Sequence, residues 1–236
     1  MIPVREWTEA EIAARNVSAP IRDVMRFHLV YRGPLKSTGN EPKPKVAAAI
    51  RAELSPQLAE LWRTHSALQA LAIDGYSRRN PQGFMVSPPS PWTPKQEFER
   101  HGDYGRMIDL CEEIPVGDKR FKPLVRKSLN LNCELEILFL RQEDPGSLVL
   151  QGGDLDNRIK TLFDALRMPS RAELEAAPQV ADMLYCLMES DSLVAGLDVS
   201  TDRLLFPETD KADEVHLVIA VSLRVLTVTR ANACLL

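Results

Sequence analysis

The sequence predicts an α+β fold, a small mixed β-sheet packed by helices. Alternating and β-branched runs are typical of strands, and other segments place apolar residues at helical spacing. These segments follow one another without the regular strand–helix alternation of a parallel α/β sheet. Of the 236 residues, 44% are hydrophobic and 26% charged, which is ordinary for a globular protein. We therefore expect a single domain over 1–236.

The first half of the chain contains one clear strand and one long helical segment. Residues 25–31 alternate and end before Gly33-Pro34, which predicts the first strand. Residues 46–71 carry apolar side chains at helical spacing, and Pro56 is expected to start a second helix or to kink the first. Residues 1–22 are polar and are expected to form an arm or a short helix over 9–14. Residues 74–105 are rich in proline, which predicts a functional loop or a mobile segment.

The second half supplies more strands and two helices. Residues 130–141 alternate and predict a strand, and 214–228 predict a long β-branched strand at the C-terminal end. Helices are expected over 156–167 and around 171–176. The short apolar runs 184–188 and 193–199 follow the second of these helices. Turns are expected at Asp144-Pro145-Gly146 and at Gly152-Gly153.

Histidine and cysteine are too scattered to predict a metal site. No CxxC pair occurs, so the cysteines are expected to be reduced and to act as small core residues. A catalytic metal would therefore need oxygen ligands. No apolar run is long enough to cross a bilayer, and the N-terminal residues lack an apolar signal core. We expect a cytoplasmic protein.

The net charge of −4 argues against nonspecific coating of nucleic acid, which usually requires a basic domain. A local basic groove beside an acidic centre remains compatible with that charge. One run offers candidate DNA-binding residues, and its alternative interpretation is an ordinary solvated surface. The run contains Lys119, Arg120, Lys122, Arg126 and Lys127.

The most informative segment is the predicted helix after Gly152-Gly153. Its apolar residues fall on one side, and these are Leu155, Ile159, Leu162, Phe163 and Leu166. Asp156, Lys160 and Asp164 are spaced four residues apart and share another side. Asp154 is expected just before the helix, near backbone N–H groups that lack helical partners.

Two aspartates that are separated by one residue at the start of a helix can bind the same Mg²⁺. This ion prefers oxygen ligands and keeps several waters. Lys160, one turn later, can stabilise negative charge on a phosphate. The alternative is structural, since Asp is a common helix cap and Asp–Lys a common surface pair. Asn157 can bind a metal-bound water or cap the helix, and Asp164 can orient Lys160 or belong to the helix surface.

The run Asp154-Leu155-Asp156-Asn157, followed by Lys160 and Asp164-Ala165-Leu166, resembles the signature of the RusA family of Holliday-junction resolvases. The resemblance implies a catalytic centre of Asp154, Asp156, Lys160 and a later acid. That acid corresponds to Asp191, with Glu189 as a substitute or helper. It also implies Mg²⁺ (or Mn²⁺) held by the three aspartates, branched DNA as substrate, and a homodimer. Compared with the family, residues 74–120 and 168–188 look like insertions.

Other functions remain open. A DxD motif also occurs in nucleotide-sugar glycosyltransferases and haloacid-dehalogenase phosphatases, but the nucleotide-binding sheet of the first and the flanking residues of the second are missing. A noncatalytic RusA-like protein that binds or senses DNA is the main alternative. Against it, a pure binder gains nothing from acids that repel phosphate. Other metal-dependent phosphate chemistry is the third possibility.

Overall fold

The computed structural model describes residues 23–35, 43–65, 68, 113–142, 154–177, 181–205, 214–228, 232 and 235. Within these ranges the chain forms two β-sheets and three α-helices, which confirms the predicted α+β class. The helices are α1 (Lys43–Thr64), α2 (Asp154–Leu166) and α3 (Arg171–Ala176). The strands are β1 (Asp23–Pro34), β2 (Ile114–Val116), β3 (Lys119–Val125), β4 (Leu131–Arg141), β5 (Met183–Met188), β6 (Val194–Arg203) and β7 (Glu214–Val225). Two short 3-10 helices cover Lys127–Leu129 and Asp191–Leu193.

The larger sheet has four strands in the order β1-β7-β4-β6. β7 pairs antiparallel with β1 and β4, and β6 pairs parallel with β4. Apolar and polar residues alternate in β1 and β4 because every second side chain faces the core and the others face away. The strands predicted over 25–31, 130–141 and 214–228 are confirmed, although β7 ends at Val225.

The smaller sheet has three strands in the order β2-β3-β5. β2 and β3 form a hairpin whose turn contains Gly117 at φ 61°, a left-handed conformation that glycine adopts without steric cost. β5 pairs parallel with β3. β2 lies in the first segment interpreted as an insertion and β5 in the second. The two segments therefore meet in one sheet.

Helix α1 runs without interruption past Pro56, so the prediction of a second helix starting at that proline is wrong. Proline removes one backbone hydrogen bond from a helix. Here the turns on both sides are held by buried contacts, since Leu54 and Leu58 are 2% and 1% exposed. Tertiary packing therefore outweighs the local preference of the proline.

The two sheets share most of one hydrophobic core. The main core combines the inner face of the larger sheet with α1 and α2, and it includes Leu124, Val125, Leu187 and Met188 from the smaller sheet. A second, smaller cluster contains Phe121, Met168, Leu174, Leu184 and Cys186. β3 and β5 thus contribute side chains to both clusters.

Cys133 and Cys186 are buried in the core, as predicted, and each is a free thiol. Burial raises the pKa of each to about 12, so both are protonated at neutral pH. No described helix combines the length and apolar character needed to cross a membrane. Several predictions lie outside the described residues: the helix over 9–14, the proline-rich stretch, the two turns before α2, Cys111 and Cys234.

Candidate functional site

The sequence had suggested that Asp154 lies just before the motif helix. In the structure α2 begins at Asp154, so this residue lies in the first turn. The side chain of Asp154 lies outside the described part of the chain, as do Gly152 and Gly153. The predicted apolar side is confirmed. Ile159, Leu162 and Leu166 are buried in the main core, and Leu155 and Phe163 pack against it.

The polar side of α2 carries an exposed ion pair. Lys160 Nζ lies 2.5 Å from Asp156 Oδ2, and the side chains are 63% and 64% exposed. A pair this exposed contributes little to the free energy of unfolding, because water screens it and both side chains lose entropy. Both groups are therefore accessible to a ligand in solution.

Asp164 has a different partner from the predicted one. Its Oδ1 accepts hydrogen bonds from Arg167 Nη2 at 2.6 Å and Nε at 3.1 Å, whereas Lys160 pairs with Asp156. Asn157 is the fourth residue of α2 and therefore does not cap it. Its backbone carbonyl accepts a hydrogen bond from Thr161 Oγ1 at 2.9 Å.

The second acidic segment lies beside the motif helix. Asp191 begins the 3-10 helix Asp191–Leu193, and its side chain is exposed. This short helix contacts α2, and Leu193 belongs to the same buried core as Ile159 and Leu162. The fold thus brings together two elements that are distant in sequence, each carrying an exposed aspartate.

Glu189 is held by the neighbouring backbone. Its N–H donates to Val125 O at 3.0 Å, and its Oε2 accepts from the backbone N–H of Lys127 at 3.3 Å. These contacts join the end of β5 to the turn after β3. Glu189 therefore has a structural role in addition to the predicted role as a helper of Asp191.

Two of the predicted metal ligands have side chains that the structure describes. Asp156 and Asp191 offer exposed oxygen atoms on contacting elements, the ligand type that Mg²⁺ prefers while it retains several waters. No group of three or more His, Cys, Asp or Glu suited to a metal ion occurs among the residues that the structure describes. A third carboxylate can come from Asp154, whose side chain is outside that set.

The basic run does not form the predicted groove, because two of its members are buried. Lys122 is 8% exposed, and its Nζ lies 4.2 Å from the ring centroid of Trp62 and 5.7 Å from that of Tyr185. Arg126 is 1% exposed, and its Nε donates to Pro123 O at 3.1 Å. Neither side chain can reach DNA, so we correct the prediction for both.

The other members of the run are closer to the surface. Lys119 Nζ lies 2.9 Å from Asp182 Oδ1, and this hydrogen bond raises the pKa of the lysine. Arg120 Nη1 lies 2.7 Å from Glu113 Oε2. Lys127 is exposed beside Glu189. Of the five candidates, Lys127 is the one whose described side-chain environment best suits a DNA contact.

Two buried arginines that the sequence analysis missed hold the motif helix. Arg158, 6% exposed, donates to Leu35 O near the start of α2. Arg51 of α1, 4% exposed, donates to the carbonyls of Asp164 and Arg167 at the end of α2. A cation is favourable there because those carbonyls lack helical partners. The available signal was an arginine on the apolar side of each helix.

Comparisons with known proteins do not test the resemblance in the motif. No protein-family model, no curated protein and no solved structure matches the chain significantly. What the protein does must therefore follow from its own residues.

Proposed function

We propose that this chain is a Mg²⁺-dependent (or Mn²⁺-dependent) endonuclease that hydrolyses phosphodiesters in branched DNA such as a Holliday junction. The observation that carries the proposal is the Asp-x-Asp-Asn-x-x-Lys motif on α2. Its acid–lysine side is exposed while the opposite side is buried. The contact between α2 and the segment of Asp191 adds the second acidic element that the RusA resemblance requires.

In this proposal Asp154, Asp156 and Asp191 would hold the metal ion. When bound there, the ion would supply Lewis acidity at the phosphate and would lower the pKa of a water molecule. The aspartates provide negative charge and oxygen ligands at the start of α2 and at the start of the 3-10 helix. Buried Arg51 and Arg158 anchor the helix that presents two of these aspartates. A rigid support of this kind keeps ligand positions fixed.

Lys160 stabilises negative charge on the phosphate during cleavage. Its ammonium group is one helical turn from Asp156, and its Nζ lies 2.5 Å from the carboxylate oxygen Oδ2. Since the pair is exposed, the lysine can leave its partner for a phosphate oxygen at little energetic cost. Lys127, on the turn that Glu189 contacts, is a second cation for the DNA backbone.

Two copies of the chain provide the two incisions that a symmetric junction needs, because matched cuts require matched sites. We place the reaction in the cytoplasm, and the two buried, reduced cysteines support an intracellular location.

The test is cleavage of a labelled four-way junction, beside duplex, flap and single-stranded DNA, with and without Mg²⁺. We expect paired, metal-dependent cuts in the junction and a loss of at least about 100-fold in rate for Asp156→Asn, which removes a ligand charge. The matched control is Asp118→Asn, at an aspartate 82% exposed in the β2–β3 turn. Its activity should equal that of the wild type. Equal cleavage by Asp156→Asn would disprove the proposed centre.

A noncatalytic junction-binding protein is the second candidate. The net charge of −4 and the two segments interpreted as insertions are compatible with it. Tight junction binding without cutting at any Mg²⁺ or Mn²⁺ concentration would establish this function instead. In that case Asp156→Asn should tighten DNA binding, because it removes a charge that repels phosphate.

A further inference from the structure

A cavity of about 690 Å³ lies between one side of helix α1 and the start of strand β5. The opposite wall from the helix includes Met183 and Leu184 of β5. On the helix, the cavity is lined by small residues at helical spacing, which are Ala48, Ala52, Ser55 and Ala59. Because these side chains are short, they leave space between the helix and the strand. A volume of this size is typical of sites for small organic ligands.

The described lining of this cavity is mostly apolar. Alanine, proline, methionine and leucine side chains make up most of it. The hydroxyl group of Ser55 is already used, since its Oγ accepts a hydrogen bond from Tyr185 N at 2.9 Å. Ala52 and Pro56 are exposed, so the cavity is open to solvent along the helix. A ligand with an apolar body can therefore enter from solution and remove apolar surface from water.

One cation lies at the end of the cavity that the first turn of α1 forms. Lys45 is the one charged residue in the described lining, and its side chain is exposed. Within the described ranges, Lys45 takes part in no hydrogen bond or ion pair. No described carboxylate in the lining neutralises its ammonium group. The charge at this end of the cavity therefore favours an anionic group on the ligand.

The start of α1 carries an uncompensated positive charge. The helix begins with Lys43-Pro44-Lys45, and its first turn contains no acidic residue. Backbone N–H groups that lack helical partners make a helix start partly positive, so anions stabilise it and cations destabilise it. Two lysines at this position therefore lower the stability of the helix in the free protein. A bound anion would remove that cost, and local costs of this kind are expected at binding sites.

We propose that this cavity binds a small amphipathic carboxylate of the fatty-acid class. Its aliphatic chain lies along the small residues of α1, and its carboxylate pairs with Lys45. The helix from Lys45 to Ala59 is about 21 Å long at the usual rise per residue, which gives room for an extended chain. The cavity adjoins the start of β5, whereas Asp191 follows the end of that strand. The site is therefore separate from the proposed metal site, and the inference does not depend on whether the chain cuts DNA.

The first part of the test is calorimetric titration of the full chain with decanoate, octanoate and decylamine. We expect decanoate to bind with a one-to-one stoichiometry. Octanoate should bind on the order of fivefold more weakly, because two fewer methylene groups leave water. Decylamine has the same chain as decanoate with the opposite charge, so it should bind at least about tenfold more weakly than decanoate.

The second part of the test uses three variants whose circular dichroism spectra are compared with that of the wild type. Lys45→Met removes the charge and should weaken decanoate binding on the order of tenfold. Its matched control is Lys127→Met, at an exposed lysine beside the other end of β5, which should bind decanoate as the wild type does. Ala52→Leu narrows the cavity and should also weaken binding. Since Ala52 is exposed, the fold should tolerate this change.

Three results would overturn the inference. Decanoate could fail to bind the wild-type chain at millimolar concentration, which would leave the cavity without this class of ligand. Decylamine could bind as tightly as decanoate, which would show that the positive charge does not select the ligand. Lys45→Met and Ala52→Leu could both bind decanoate as Lys127→Met does, and the binding site would then lie elsewhere on the molecule.

Discussion

At the scale of single residues, Arg51 is a buried cation that bonds to the end of the motif helix α2. It is 4% exposed, and burial lowers the pKa of its guanidinium. Its hydrogen bonds go to two carbonyl groups at the end of α2, Asp164 O and Arg167 O. Nearby acidic groups and these carbonyl dipoles offset the cost of burying its charge.

Replacing Arg51 by methionine should lower the free energy of unfolding by about 2–3 kcal/mol, because two carbonyl groups lose their donor in a dry environment. Urea denaturation at pH 7 measures the change. The matched control is Arg171→Met, whose side chain is 79% exposed and pairs with Glu175 at 3.0 Å. That change should cost less than about 1 kcal/mol. Equal losses in the two variants would show that Arg51 does not anchor α2.

Charge was visible in the sequence, but the burial of charge was not. The run from Lys119 to Lys127 looked like a basic surface because five cations lie within nine positions. In the structure Lys122 packs against Trp62, which is distant in sequence, and Arg126 bonds within its own turn. Only the tertiary fold brings that tryptophan to the lysine. By contrast, the Asp156–Lys160 pair is local to one helix, so its spacing predicted it correctly.

At the scale of elements, α3 shows how local signals fix a short helix. Ser170 and Glu173 form a capping box, with Ser170 N to Glu173 Oε2 at 2.7 Å and Glu173 N to Ser170 Oγ at 3.3 Å. Glu173 also accepts from Arg167 Nη2 at 2.6 Å, which ties α3 to the end of α2. Burial acts to raise the pKa of Glu173, but the bonds from Arg167 and Ser170 outweigh it and lower the pKa to about 2.

The low pKa makes the contribution of Glu173 to stability dependent on pH. The carboxylate is ionised in the folded protein down to about pH 2 and in the unfolded chain only above its ordinary value of 4.5. Its stabilising effect is therefore complete above pH 4.5 and is lost as the pH falls from there towards 2. Glu173→Gln should be less stable than the wild type at pH 7, and the difference should shrink in this acidic window.

Denaturation of both proteins at several pH values between 7 and 2.5 measures that difference. Glu175→Gln, at an exposed carboxylate of the same helix, is the control and should show a smaller difference throughout. A difference for Glu173→Gln that stays constant down to pH 2.5 would contradict the proposed role of its charge.

Elements with regular patterns could be predicted, and the smaller sheet could not. β4 alternates over its whole length, so its strand and its core face followed from the sequence. β3 and β5 pair in parallel although they are about 60 residues apart, and β3 is buried over five consecutive residues. Such a strand has no alternation to recognise. No local signal indicates which distant segment it will pair with.

At the scale of the whole molecule, the two sheets are joined through α1 and the main core. Ser55 Oγ of α1 accepts a hydrogen bond from Tyr185 N of β5 at 2.9 Å. Leu187 and Met188 of β5 lie in the same core as Leu217 of β7. Regions that share this many buried side chains lose stability together when one of them is weakened. We therefore expect the two sheets to unfold in one cooperative transition.

Leu184→Ala tests this in the smaller cluster, where Leu184 is 2% exposed, and Leu217→Ala is the matched change in the main core, where Leu217 is 0% exposed. Each removes buried methyl groups and should cost about 2–4 kcal/mol. Each should therefore lower the melting temperature by roughly 5–15 °C. Far-UV circular dichroism and tryptophan fluorescence should give coincident melting curves in both variants. If Leu184→Ala instead produced an early transition while most of the strand signal melted at the wild-type temperature, the smaller sheet would be an independent unit. Its side chains in the main core would then not be enough to couple its unfolding to that of the larger sheet.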